Sequence, residues 1–287
     1  MKKLLAWLLL TALLWSAAVS GSAEITPLTK CGTHGTAKRL AGRTAIVSIF
    51  ASDSRWTWDN WGQDVNTYTS VYHHLGIAAR WLMDQAARQG VRCELVWDWL
   101  DPENYDLYHE HTFQRRMLDG DTAYAGDYDY FIRMIDSLDN DAIMRKHNAE
   151  NILYMFYFNT KVPYVGWTGY AQPSYGEQRS NVGVYEFVVL PIGYNWSAGT
   201  YAHEILHLFG APDIASANPD WQMSQRFVDD FHRRYPRDIM GGAPSDAHDR
   251  VDFVMSPLTA YYVGLTRSSE DQQKWNLRQS EYDRYGY

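Results

Sequence analysis

Residues Tyr201 to Asp213 read YAHEILHLFGAPD, with His203, Glu204, His207, Gly210 and Asp213 in the spacing His-Glu-x-x-His-x-x-Gly-x-x-Asp. On a helix, residues four apart share a face, so His203 and His207 present two imidazole nitrogens to one metal ion. Glu204, one step round the helix, points beside that ion, where an attacking water would sit. Gly210 suits the left-handed backbone that stops a helix and turns the chain. Pro212 cannot continue the helix, and the exit returns Asp213 toward the metal. Two imidazoles, one carboxylate and a water make a four-coordinate zinc with one open position, the catalytic rather than the structural arrangement.

A bare His-Glu-x-x-His arises by chance in roughly one chain in a hundred of this length, and the Gly and Asp spacing lowers that about a further hundredfold. The bland alternative is an amphipathic core helix packed through Ile205, Leu206 and Leu208, which leaves that spacing unexplained.

At these residues the chain resembles the metzincin clan of zinc metallopeptidases. The clan's motif usually ends in histidine; Asp213 stands in that place, as in the snapalysin-like branch. Downstream, Asp238-Ile239-Met240 followed by Gly241 resembles the clan's Met-turn, which implies that Met240 is a polarizable floor supporting the ligands without coordinating. Met255, also ahead of a helix, is the rival. Some members carry a tyrosine two positions after that methionine; here the position is Gly242, so the oxyanion helper is unassigned, with Tyr261 or Tyr262 as guesses.

The flanking chain supplies a compatible scaffold. Thr44 to Phe50 is a β-branched run that reads as a buried strand. From Val65 to Gln89, apolar residues recur at helical spacing through Val71, Leu75, Ala78, Leu82 and Ala86, and Gly90 ends the pattern. Val91 to Trp97 reads as a second strand, completing the crossover unit of a parallel sheet. A helix over Tyr124 to Leu138 follows, then strands over Asn151 to Phe158 and Tyr185 to Ile192. Ser197 or Thr200 caps the zinc helix, and Ser256 to Leu265 forms a last helix. The fold class expected is α/β (α+β) and metzincin-like: a mixed, mostly parallel twisted sheet with helices in an upper subdomain to about residue 210. The resemblance implies a smaller, mainly helical and loop lower subdomain from about 211 to 267, with the zinc cleft between. Residues 268 to 287 read as a polar, partly disordered tail.

Residues 1 to 23 read as a secretory signal: Lys2 and Lys3, an apolar run from Leu4 to Val19, and a small-residue cleavage site at Gly21-Ser22-Ala23. An uncleaved anchor is the weaker reading, because the run is short for a span. The mature chain is expected to be secreted or periplasmic and to act as a monomer. The formal charge of −8 becomes −10 without Lys2 and Lys3. That balance argues against nucleic acid and anionic membrane as partners and leaves a peptide or protein substrate.

The two cysteines, Cys31 and Cys93, suggest one disulfide in an exported chain. The alternative is a thiolate cap on zinc from Lys30-Cys31-Gly32, which resembles the cysteine switch of some zymogens. Trp56, Trp58 and Trp61 read as a packed corner. His73 and His74 have no partner at ligand spacing and read as surface or satisfied histidines, while His109 and His111, two apart, have a spacing that could bind metal from a strand but are not taken as ligands. Asp98, Asp101, Glu103 and Asp106 make calcium conceivable, though a solvated loop suits them better.

The function implied is zinc-dependent peptide-bond hydrolysis with Glu204 as general base and zinc on His203, His207 and Asp213. A zinc hydrolase of another bond, such as a cell-wall amide, and a non-catalytic binding protein on the same fold are the alternatives.

Overall fold

The computed structural model describes residues 39–58, 61–117, 128–159, 170–172, 187–192, 196–242 and 247–277. The expected signal, Cys31, most of the loop from Pro163 to Ser180 and residues 278–287 lie outside that set.

Among the described residues six strands form one sheet: β1 (Gly42–Ser52), β2 (Cys93–Val96), β3 (Tyr108–Thr112), β4 (Asn151–Phe158), β5 (Tyr170–Gln172) and β6 (Phe187–Pro191). β1 and β4 lie at the centre, with β4 followed by β6 and then β5. Every pairing is parallel except β5 on β6. The fold is therefore α/β with a mostly parallel sheet, as the crossover reading predicts. Beyond that reading, β2 and β3 occupy the same edge of β1 in tandem: Gly42 to Ala45 pair with Cys93 to Val96, and Ser48 to Ser52 pair with Tyr108 to Thr112. Between them the chain swings out through a 3₁₀ turn at Pro102–Leu107, capped by Asp101.

Both faces of the sheet are covered, which is why its central strands read as continuous apolar runs rather than alternating ones. One face carries Ile46, Phe50, Leu153, Met155, Tyr157, Val188 and Leu190. It packs against Val71, Leu75, Ala78 and Leu82 of α1 (Trp61–Arg88) and against the helix that carries the histidine motif. The opposite face, built from the alternate residues Val47, Ile49, Tyr154, Phe156 and Val189, is covered by α2 (Tyr128–Asp136) and α3 (Asn140–His147). The period-2 split of each strand between two cores is the expected signature of a two-sided sheet.

The motif helix is α4 (Ala198–Leu208), and α5 (Gln225–Arg234), α6 (Pro257–Tyr262) and α7 (Glu270–Trp275) follow it. The polar stretch after Asp213 conceals α5, whose apolar residues are confined to Phe227, Val228 and Phe231 on one side. Within the expected tail, α7 is held to α5 by Arg234, which donates from both terminal nitrogens to the buried Asp271 at 2.9 and 2.7 Å. That pair joins residues 37 apart, so no local window contains it. Trp56 and Trp58 form the packed corner, with Trp58 edge-on to Phe50 at 4.8 Å. Cys93 carries no disulfide among the described residues, and burial pushes its thiol up to about 12. Among those residues no helix is long and apolar enough to cross a membrane.

At Gly76 α1 packs against Trp97, the residue after β2, so that an added Cβ would lie 2.5 Å from its ring. Gly76→Ala is expected to destabilise by about 1–3 kcal/mol through overpacking. Combining it with Trp97→Phe, which removes the clashing ring edge, is expected to recover part of the loss in denaturant melts.

Candidate metal centre

β6 delivers the chain to α4 over a short connection in which the Trp196 indole N–H donates to the Pro191 carbonyl at 2.7 Å. Ser197, not Thr200, is the cap: its backbone is extended and its hydroxyl accepts from the Thr200 N–H. Tyr201 then stacks over Tyr157 of β4 at 6.1 Å, seating the helix on the sheet. Ala202, Ile205, Leu206 and Leu208 are buried, while His203 and His207 sit together on the half-open side.

The helix stops where the sequence says it should. Gly210 has φ +93°, its N–H donates to the His207 carbonyl at 2.8 Å, and the Ala211 N–H donates to the Leu206 carbonyl at 3.0 Å. These two bonds define a Schellman stop, in which a left-handed residue lets the last carbonyls of the helix be satisfied. The same turn brings the Ala211 carbonyl to the ring of His207, whose Nδ1 lies 2.7 Å from it. Asp213 follows two residues later, with Oδ1 3.2 Å from His203 Nε2 and 3.5 Å from His207 Nε2.

The hydrogen bonds fix the tautomers. A carbonyl only accepts, so His207 Nδ1 must donate to Ala211 and His203 Nδ1 must donate to the Ile239 carbonyl at 2.9 Å. In the neutral rings both Nε2 atoms are then bare lone pairs, and they face each other at 3.1 Å. Two lone pairs and a carboxylate oxygen at this separation repel unless a cation lies among them. Donor atoms about 2.0–2.1 Å from a tetrahedral zinc lie about 3.3–3.4 Å from one another, which the three observed separations bracket. The residues present therefore fit the ion that the donor set implies.

The electrostatics show the pull of the same cluster on a proton. Burial works to lower His203, but Asp213 and Glu204 outweigh it and raise it to about 9, so a proton and a metal ion compete for the same Nε2. His207 is also raised, because the charge of Asp213 overcomes burial. Asp213, despite burial that would raise it, is held far below the usual carboxylate range by the two imidazoles. Glu204 behaves differently. It is 3% exposed, makes no hydrogen bond among the described residues, and burial raises its pKa against the opposing pull of both imidazoles. A carboxylate with a raised pKa is a stronger proton acceptor while it is ionised, which suits a general base.

The turn at Asp238-Ile239-Met240 underlies these ligands mainly through its backbone. Ile239 fixes His203, and the Met240 carbonyl accepts from the Ile214 N–H at 2.7 Å, anchoring the residue after Asp213. Met240 itself is fully buried in the main core. Met255, the rival, is partly buried against the same core, ahead of the Ser256 cap of α6. Tyr261 and Tyr262 are buried in the main core, at 2% and 0% exposure.

Other sequence candidates go elsewhere. Asp98 accepts from Tyr72 and from the Leu100 N–H, Asp101 caps the 3₁₀ turn, and Asp106 pairs with Lys146 and His147, so these carboxylates do not converge on a calcium site. His109 bonds the Asp106 carbonyl, and His111 packs edge-on to Phe113. His74 is buried against Tyr201 and His248. Among the described residues, only His203, His207 and Asp213 group as three possible ligands.

No family model matches this chain, and no curated protein matches it. Among solved structures, the crystal structure of metalloproteinase-II from Bacteroides fragilis matches with a TM-score of 0.38 and 13% identity, covering 88% of this chain. The match covers 60% of that chain's length. A superposition this loose leaves the chemistry to be read from the site itself.

Gly210→Ala forces a Cβ into the left-handed backbone that sets the Schellman stop. It is expected to cost about 1–2 kcal/mol and to weaken zinc binding about tenfold in chelator competition, by misplacing the Ala211 carbonyl and Asp213. Gly90→Ala meets a similar backbone at the end of α1, with φ +69° and open space around the added Cβ. It is expected to lower stability comparably while leaving zinc affinity unchanged.

Proposed function

We propose that this chain is an exported zinc-dependent metallopeptidase of metzincin type that hydrolyses peptide bonds with Glu204 as general base. The observation that carries this reading is the convergence of two tautomer-locked imidazoles and a carboxylate beside a buried glutamate that makes no hydrogen bond among the described residues. A structural zinc site would need a fourth protein ligand and would have no use for that glutamate. A binding protein would have no reason to bury it unpaired.

His203, His207 and Asp213 would hold the ion, which when bound supplies Lewis acidity to a scissile carbonyl and lowers the pKa of water toward about 7. Glu204 takes the proton from the attacking water and returns it to the leaving amine; its raised pKa suits both halves of that exchange. The Ile239 and Ala211 carbonyls keep the imidazoles aimed throughout. A peptide substrate is favoured by β5, which forms one edge of the sheet among the described residues, antiparallel to β6 and in contact with α4. An extended chain pairs with such an edge through its backbone and leaves side chains to set preference. Residues 1–23 as a cleaved signal complete the reading of an exported enzyme.

Glu204→Ala is expected to keep one zinc per chain and lose about 100-fold to 10,000-fold in turnover, read by mass-spectrometric mapping of cleavage in a mixed peptide library. His207→Ala is expected to lose the metal, read by elemental analysis after dialysis. Cleavage of peptidoglycan amides with no cleavage of peptides, by zinc-loaded protein, would move the substrate class to the cell wall. Undiminished peptide cleavage by Glu204→Ala would overturn the mechanism.

A further inference from the structure

The carbonyl that aims His203 belongs to a loop residue, and a loop carbonyl orients a ligand only as well as the loop itself is held. Ile239 is held on both sides. Its N–H donates to the Val254 carbonyl at 2.9 Å, and the Val254 N–H donates to the Arg237 carbonyl at 2.9 Å, which closes a bridge across the turn. Within that bridge lies Asp238, whose side chain is fully buried. Its Oδ1 accepts from the Met240 N–H at 2.8 Å and its Oδ2 from the Ser256 N–H at 2.8 Å. The Thr259 hydroxyl lies 3.0 Å from both oxygens. One carboxylate thus ties the residues on either side of Ile239 to the cap and first turn of α6.

Burying a carboxylate costs stability, and three donors do not recover more than an apolar residue of similar size would give. What the carboxylate supplies is direction. Its hydrogen bonds are satisfied in one arrangement of the turn, and in that arrangement the Ile239 carbonyl meets His203 Nδ1.

We propose that Asp238 is a positioning residue for the metal site, holding the Ile239 carbonyl where it fixes the tautomer and aim of His203. This deepens the metallopeptidase reading and rests on it for the presence of an ion at His203. The position of Asp238 within the turn, two residues ahead of the buried methionine, gives the role a sequence address that the spacing of the ligands does not contain.

The test compares Asp238→Asn with a matched control, Asp53→Asn. Asp53 is also buried and also accepts from three donors, the N–H groups of Arg55, Trp56 and Met117, but it organises the loop after β1 and bonds neither a ligand nor the turn beside one. In Asp238→Asn the amide nitrogen must face a donor, so the clasp opens on one side. Zinc affinity, measured by chelator competition, is expected to fall about 10-fold to 100-fold. In zinc-loaded, histidine-labelled protein the Nδ1–H resonance of His203 is expected to shift or to be lost to exchange, while that of His207, held by Ala211, stays in place. Asp53→Asn is expected to lower the melting temperature with zinc affinity and both resonances unchanged.

The proposal is overturned if Asp238→Asn binds zinc within about twofold of the parent with the His203 resonance unmoved. It is equally overturned if Asp53→Asn weakens zinc binding as much. Should Asp238→Asn fail to fold, Thr259→Val removes one donor and leaves the carboxylate. It is expected to weaken zinc about threefold or more with the same selective change at His203, and an unchanged His203 there overturns the proposal as well. All these readouts use zinc and no substrate, so they stand whether or not Glu204→Ala abolishes cleavage.

Discussion

Two backbone carbonyls, those of Ile239 and Ala211, decide what His203 and His207 can do. By accepting the Nδ1 protons they leave both Nε2 atoms as lone pairs facing each other beside Asp213. Everything else at the site follows from how those carbonyls are placed. Ala211 is placed by the helix stop at Gly210, and Ile239 by the turn that runs beneath α4. One carbonyl is local to the motif and the other is 36 residues from the histidine it holds.

That difference sets what sequence reasoning reaches. The face shared by His203 and His207, the stop at Gly210 and the return of Asp213 are consequences of helix geometry and one left-handed residue, and each lies within eleven positions of the next. They are legible because their causes are local. The strands Gly42–Ser52, Asn151–Phe158 and Phe187–Pro191 are legible for a similar reason, since burial on both faces leaves unbroken apolar runs. The role of Asp238 is not legible, because its partners Ser256 and Thr259 become neighbours only when the chain folds back.

The missed elements share a second property. β3, Tyr108–Thr112, contains Tyr-His-Glu-His-Thr and owes its place to pairing with β1 rather than to any apolar pattern. α5 and α7 are short, and their apolar residues are outnumbered by charges that face solvent or pair across helices. Their stability comes from tertiary contacts such as Arg234 with Asp271, so propensity and periodicity carry little of the signal.

The tandem arrangement of β2 and β3 on one edge of β1 separates two things that a continuous strand would couple. Each segment finds its own register against its own stretch of β1, so the length of chain between them is not set by the sheet. The tip of that excursion is solvent-facing, with Leu100 half exposed and Tyr105 more so. It also emerges from the edge opposite β5. The exposed tip around Leu100 to Tyr105 is therefore where an insertion or a label leaves both registers in place, while Asp98 and Asp106 on its flanks stay tied to Tyr72, Lys146 and His147.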